Sequence, residues 1–371
     1  MFHIEIFSFG GRGMGRSVYK NACIGGEIVD LITEDGRFSF IGRVDGEGMD
    51  LGGLDVFPGL VDIHCHGAMG YDAFSPDRSG LEAMNVYFAS RGVTTWYPTT
   101  GGSLETVRSL LGTSLLGLRG GSMPGYHLEG PYLSPLAAGA CAVETMKCPD
   151  PEDFRGFDNV KLITVAPELE GAMEYIRSCD ARVCIGHTRA DYGTALLAID
   201  AGASCLTHTF NAMPPFHHRE PGVIGAAIDR NIYVQVIADG VHLHRSVVTA
   251  LYRIFGRERM ILISDAVSGT GLPDGEYLKQ GKYRRIIRDG AIRTEQGNLA
   301  GSASDLLRDV QVAISMGIPR EDVFYMASTT PADYMGINKG RIAVGYDADF
   351  IVVDRENRLI RTVIGGEIFE A

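Results

Sequence analysis

His64 and His66 stand two apart at the end of an apolar run, PGLVDIHCHG. On a strand, residues i and i+2 face the same side, so both imidazoles can reach one ion while Cys65 turns away into the core. For H-x-H alone, a solvent-facing or core pair is the competing reading. Similar residues end other apolar runs: Glu129 in HLEGPY, His187 in CIGHT, His208 in LTHTFNAM and Asp265 in ILISDAVSG. Singly, Glu129 could pair with an arginine, either histidine could be a hydrogen-bonded core residue, and Asp265 could cap a helix. Together they suggest one shared centre. Imidazoles with a carboxylate suit zinc or ferrous iron, as one or two ions, rather than calcium or magnesium. Asp265 then reads as a general base that takes a proton from the attacking water and returns it to a leaving nitrogen.

The elements that must hold these groups are visible as eight apolar runs. They are FPGLVDIHCHG, GVTTWYPTTG, GYHLEGPY, VKLITVAPE, ARVCIGHTR, SCLTHTFNAM, YVQVIADGVH and MILISDAVSG. Helical spacing separates most of them, over Leu81–Ser90, Thr106–Leu116, Leu169–Ser178, Tyr192–Ala201 and Ser246–Phe255. Strand–helix alternation with parallel crossovers predicts an α/β fold. An open doubly wound sheet would string the polar termini along an edge. A closed (β/α)8 TIM-like barrel turns them into one mouth, and this is the architecture the pattern favours.

Both chain ends read differently, as short strands and turns. FHIEIFSF, SVYKNACIG, EIVDLIT and FSFIGRV lead in, and DADFIVVD with LIRTVIGGEIFE close the chain. We expect a composite β domain, a small sandwich from residues 1–55 plus 341–371, beside a barrel over 56–340. The balance of 34 basic and 46 acidic residues, net −12, argues against an extended nucleic-acid footprint. An odd seven cysteines without a C-x-x-C pair suggest neither a disulfide framework nor a zinc knuckle, and fit a reducing cytoplasm. No run has the length of a membrane span or the form of a signal peptide.

The longer motifs resemble one family, the N-acetylglucosamine-6-phosphate deacetylases of the amidohydrolase superfamily. The matching runs are PGLVDIHCHG, HLEGPY, GHT, THTFNAMPPFHHREPG, IADGVHLH, SDAVSGTGLPDGEY, LAGSASDLL and TTPADYMGINKGRIAVGYDADFIVVD, in the family's order. The resemblance implies that Glu129, His187 and His208 hold the main metal, and that His64 and His66 complete a second site bridged by Glu129. It matches Asp265 to the catalytic aspartate. It also assigns Asn211, Ala212, Arg219 and His242 to an amino-sugar phosphate substrate, in a homodimer whose arginine reaches the neighbouring subunit's site. A guanidinium fork with a further donor suits a phosphate dianion.

One position departs from the family. Where its members carry a histidine that contacts the substrate carbonyl, LAAGAC places Cys141. A thiol is a weak donor and a poor oxyanion stabiliser. Either another group, such as His127 or the second metal, takes that role, or the substrate differs from the family's. Deamination of a nucleobase, opening of a cyclic amide, a non-catalytic scaffold and a sugar-phosphate sensor remain the alternative readings of the same residues.

Overall fold

The computed structural model describes residues 15–75, 77–279 and 283–371, so the run FHIEIFSF lies outside the described residues. All eight apolar runs contain strands of one parallel sheet. In order these are Leu60–Cys65, Val93–Thr100, Tyr126–Glu129, Val160–Val165, Arg182–Ile185, Cys205–Leu206, Tyr233–Ile237 and Met260–Ile263, each paired with the next. The second strand is buried at every position, as expected for a parallel sheet covered on both faces.

Alternate strand residues divide between two packing layers. Val183 and Ile185 join the large cluster shared with the helices, whereas Cys184 joins Val61, Tyr97, Leu162 and Ile261 in a smaller cluster that includes Tyr334. That period-2 division is the pleat of a barrel with a packed interior.

The first and last strands meet through the segments that carry His64, His66 and Asp265. The Asp265 N–H donates to the His64 carbonyl at 3.0 Å, and the N–H groups of His66 and Gly67 donate to Ala266 O at 2.7 and 3.0 Å. Below them, buried Asp62 accepts from the Ser264 hydroxyl at 2.5 Å and from the His64 N–H at 3.2 Å. The ring is therefore drawn together at the place where His64, His66 and Asp265 leave their strands.

Strands from both ends of the chain form a separate sheet. Five between Arg16 and Pro58 combine with Phe350–Val353, Leu359–Ile364 and Glu367–Ile368 around a core in which Tyr19 packs edge-on against Phe350. The sequence reading missed one element. Between the eighth strand and the following helix, Gly275–Lys279, Tyr283–Arg288, Ala291–Thr294 and Leu299–Ser302 make a four-stranded antiparallel sheet. Its Ile287 and Ile292 share a small buried cluster with Ala300.

Candidate metal centre and substrate cavity

Four imidazoles and two carboxylates converge at the C-terminal mouth of the barrel. Glu129 is central: its Oε1 lies 2.9 Å from His208 Nε2, 3.1 Å from His187 Nε2 and 3.4 Å from His64 Nε2, and its Oε2 lies 3.2 Å from His66 Nε2. The Nε2 atoms of His187 and His208 are 3.1 Å apart, and those of His64 and His66 are 3.2 Å apart. Asp265 Oδ1 stands 3.3 Å from His66 Nε2 and 3.6 Å from His64 Nε2. Ligands of a tetrahedral zinc, with metal–nitrogen bonds of about 2.0–2.1 Å, are separated from one another by about 3.3 Å. The observed spacings fit that requirement. All five ligands read from the sequence, and Asp265, are brought together.

Bonds on the far side of the rings fix which nitrogen faces inward. His66 Nδ1 donates to Thr99 O at 3.0 Å, His187 Nδ1 to Ala137 O at 2.9 Å, and His64 Nδ1 to Gln235 Oε1 at 3.0 Å. Each bond selects the tautomer whose Nε2 lone pair points at the centre, which is the arrangement metal-ligating histidines require. Gln235 was missed in the sequence, where nothing marks a partner 171 residues from its histidine.

Three of these residues also have an uncommon backbone conformation. His187, His208 and Asp265 adopt φ of +45°, +25° and +47°, and Ala212 adopts +50°. Non-glycine residues occupy this left-handed region rarely, and such strain collects at functional sites. His187, His208 and Asp265 each stand two residues beyond the end of a strand.

Electrostatics within the cluster is strongly mutual. Burial would favour neutral forms, but Glu129 is held well below the usual carboxylate range by His187 and His64. Asp265, also buried, is lowered by its hydrogen bond to His66 and by the nearby imidazoles. His66 in turn is pushed up to about 10 by the two carboxylates, against its own desolvation. Two anions facing four imidazoles in a dehydrated pocket need positive charge. A bound metal ion would supply it without protonating the rings.

His127 does not join the cluster. It is buried, donates from Nδ1 to Ile63 O at 2.9 Å and meets the Thr164 hydroxyl through Nε2 at 3.0 Å. Burial holds its pKa well below normal. With both ring nitrogens engaged inside the barrel, it cannot substitute for the missing carbonyl-contacting histidine, contrary to the sequence expectation.

Above the cluster lies a cavity of about 810 Å³, lined by Asn211, Ala212, His242 and Cys141 among others. Its size is in the range of small-molecule sites. Asn211 Nδ2 donates to His208 O at 3.1 Å, which ties this part of the cavity wall to the segment that carries His208. His242 is oriented by Asp239, whose Oδ2 accepts from Nδ1 at 2.7 Å and from the Ser302 hydroxyl at 3.1 Å. Although burial opposes it, Asp239 raises the His242 pKa and so favours a cationic ring. Asp239 lies within the run YVQVIADGVH, and its orienting role is visible only in the structure. The inserted sheet contributes Tyr277, Arg285 and Ile287 to the cavity wall. Arg219 is placed apart from these groups: it is exposed, donates to His218 Nε2 at 2.6 Å and is not among the cavity-lining residues.

A parallel eight-stranded barrel with such a cluster at its C-terminal mouth defines the class of metal-dependent hydrolases built on that scaffold. The model described as the Amidohydrolase family matches residues 56–369, and the chain belongs to that family. It is 35% identical over 367 residues to an N-acetylglucosamine-6-phosphate deacetylase of Vibrio furnissii, covering 93% of this chain and 92% of the relative. It is 31% identical to an N-acetylgalactosamine-6-phosphate deacetylase of Escherichia coli O157:H7, covering 84% of this chain and 86% of the relative. Among solved structures, a variant N-acetyl-D-glucosamine-6-phosphate deacetylase of Mycobacterium smegmatis in complex with N-acetyl-D-glucosamine-6-phosphate superposes with a TM-score of 0.88. It is 29% identical, covering 96% of this chain and 100% of that one. Among the described residues, no helix is long and apolar enough to cross a membrane.

Proposed function

We propose that the chain removes acetate from an N-acetylated amino-sugar phosphate, converting N-acetylglucosamine-6-phosphate to glucosamine-6-phosphate. The observation that carries this reading is the convergence of Glu129, His187 and His208 within hydrogen-bonding distance of one another beneath a cavity that also presents His242 and Asn211. Glu129, His187 and His208 would hold the principal ion, and His64 and His66 would share Glu129 with a second. Zinc and ferrous iron both suit this donor set. When bound, the ion supplies Lewis acidity that lowers the pKa of water and polarises the acetamide carbonyl.

The protein's own groups supply the rest. Asp265 takes a proton from the attacking water and delivers it to the amine nitrogen as the carbon–nitrogen bond breaks. His242, held by Asp239, presents a donor to the sugar phosphate, and Asn211 fixes the sugar against the wall below. Arg219 is exposed and does not line its own cavity, so we assign its phosphate contact to the site of a second copy in a homodimer. Seven cysteines, with Cys65, Cys184 and Cys205 packed in the core as thiols, suit a reducing compartment, and we place the protein in the cytoplasm.

The test is acetate release by the zinc- or iron-loaded protein from N-acetylglucosamine-6-phosphate, N-acetylgalactosamine-6-phosphate and unphosphorylated N-acetylglucosamine. Preference for the first is expected. Faster turnover of the galactose epimer would reassign the sugar, and equal rates without phosphate would remove the phosphate assignment.

A further inference from the structure

We infer that the Cys141 thiolate is a protein ligand of the ion held by Glu129 and His187, an inference that rests on the metal-dependent reading above. Cys141 Sγ, a Glu129 carboxylate oxygen and a His187 ring nitrogen all lie within 4.8 Å of one another. His187 Nδ1 is committed to Ala137 O at 2.9 Å, while its Nε2 is the atom 3.1 Å from Glu129. The thiol thus stands close to a residue already oriented for coordination.

The loop that delivers this thiol is fastened to the ligand it accompanies. The Ser134 N–H donates to His187 O at 2.9 Å, and Ala137 O receives the His187 ring, so His187 is gripped at backbone and side chain by one segment. The chain then turns at Gly139, with φ +58°, and the Cys141 N–H closes the turn on Ala138 O at 2.9 Å. A Cβ at Gly139 would come 3.2 Å from His187 Cε1, so the loop lies directly on the imidazole.

The chemistry of the donor set points the same way. Glu129, His187 and His208 provide three ligands, which for zinc leaves a fourth position. A thiol at that position gives up its proton to solvent and binds as thiolate. As thiolate it would complete the coordination of the resting ion. A soft sulfur ligand also biases the choice towards zinc over iron. This gives the departure from the family's histidine a role that a weak donor to the carbonyl would not.

Two measurements on the full chain test it. In the cobalt(II)-loaded protein, a near-ultraviolet thiolate-to-cobalt charge-transfer band is expected, and Cys141→Ser should abolish it at equal cobalt content. In the unsubstituted protein, zinc should slow iodoacetamide labelling of Cys141, mapped by peptide mass spectrometry, by at least about tenfold. Exposed Cys148 should label equally with and without zinc and serves as the internal control. A band that is absent, or unchanged in Cys141→Ser, overturns the inference, as does zinc-independent labelling of Cys141. Acetate release by the same cobalt protein separates the two claims. Turnover without a Cys141-dependent band removes the thiolate ligand and leaves the deacetylase reading; the band without turnover does the reverse. Failure to take up cobalt removes both.

Discussion

Asp265→Asn isolates proton transfer from architecture. The main-chain contacts that place this residue do not involve its side chain: its N–H donates to His64 O at 3.0 Å and its carbonyl accepts from the Ser302 N–H at 2.9 Å. Its φ of +47° is a conformation that asparagine tolerates about as well as aspartate. The substitution keeps volume and backbone, and removes a carboxylate 3.3 Å from His66 Nε2. The whole deficit should therefore fall on chemistry. Positioned general acid–base catalysis contributes about 10²–10⁴-fold, and this carboxylate is assigned both the deprotonation and the reprotonation. We expect kcat to fall by at least about 10³-fold, equivalent to about 4 kcal/mol in the barrier. KM and the metal bound near Glu129 should change little. Acetate release under metal saturation, with metal content determined on the same samples, is the assay. A loss smaller than about tenfold at equal metal content would refute the assignment, since an amide could then do the same job. So would activity restored by excess metal, which would make Asp265 a ligand rather than a base.

Three further outcomes follow from the geometry. Chelation should abolish turnover and lower the melting temperature. An ion at 100 times its Kd stabilises by about 2.7 kcal/mol, which for 371 residues at about 2.1 cal/mol/K each corresponds to about 3–4 °C by calorimetry; no shift on re-adding zinc would contradict the site. Asp239→Asn should leave His242 without its ionic orienter and raise KM for the phosphorylated substrate by about 10- to 100-fold with kcat nearly unchanged. A fall in kcat alone would place His242 elsewhere in the mechanism. Asp30 lies in the terminal sheet, where burial raises its pKa but the Val44 and Asn21 N–H groups and Lys20, 2.9 Å away, bring it down to about 2. A carboxylate depressed in the folded state contributes stability that is full above its ordinary pKa and is lost as pH falls through the folded value. The melting-temperature gap between the unsubstituted protein and Asp30→Asn should thus be widest near neutrality and close as pH drops towards about 2. A constant gap would show that the ion pair contributes nothing there.

What the sequence disclosed, and what it withheld, follows a physical division. Side-chain type and strand period are local properties. H-x-H on an apolar run was enough to place His64 and His66 on one side, and the arrival of Glu129, His187, His208 and Asp265 at run ends was enough to expect one centre. Tyr192–Ala201 was legible to the residue as a helix. The inserted sheet over Gly275–Ser302 was not, because alternation in YRRIIR signals a strand without saying that it folds over a barrel mouth. His127 shows the limit most sharply. It shares its strand with Glu129, two residues away, yet its ring is tied off between Ile63 O and Thr164 inside the barrel, while Glu129 emerges at the rim. Strand position fixes the face, and depth along the strand decides between a core group and a ligand. Depth is set by where the ring closes, through the bonds of Asp62, Ser264 and Asp265 to the His64 segment, and by the left-handed turns at His187, His208 and Asp265. Neither carries a local signal: residues of these types occupy ordinary conformations far more often. The residues of the candidate centre are thus written in the chain one by one. Their common depth, and hence the centre itself, exists only once the first and eighth strands have met.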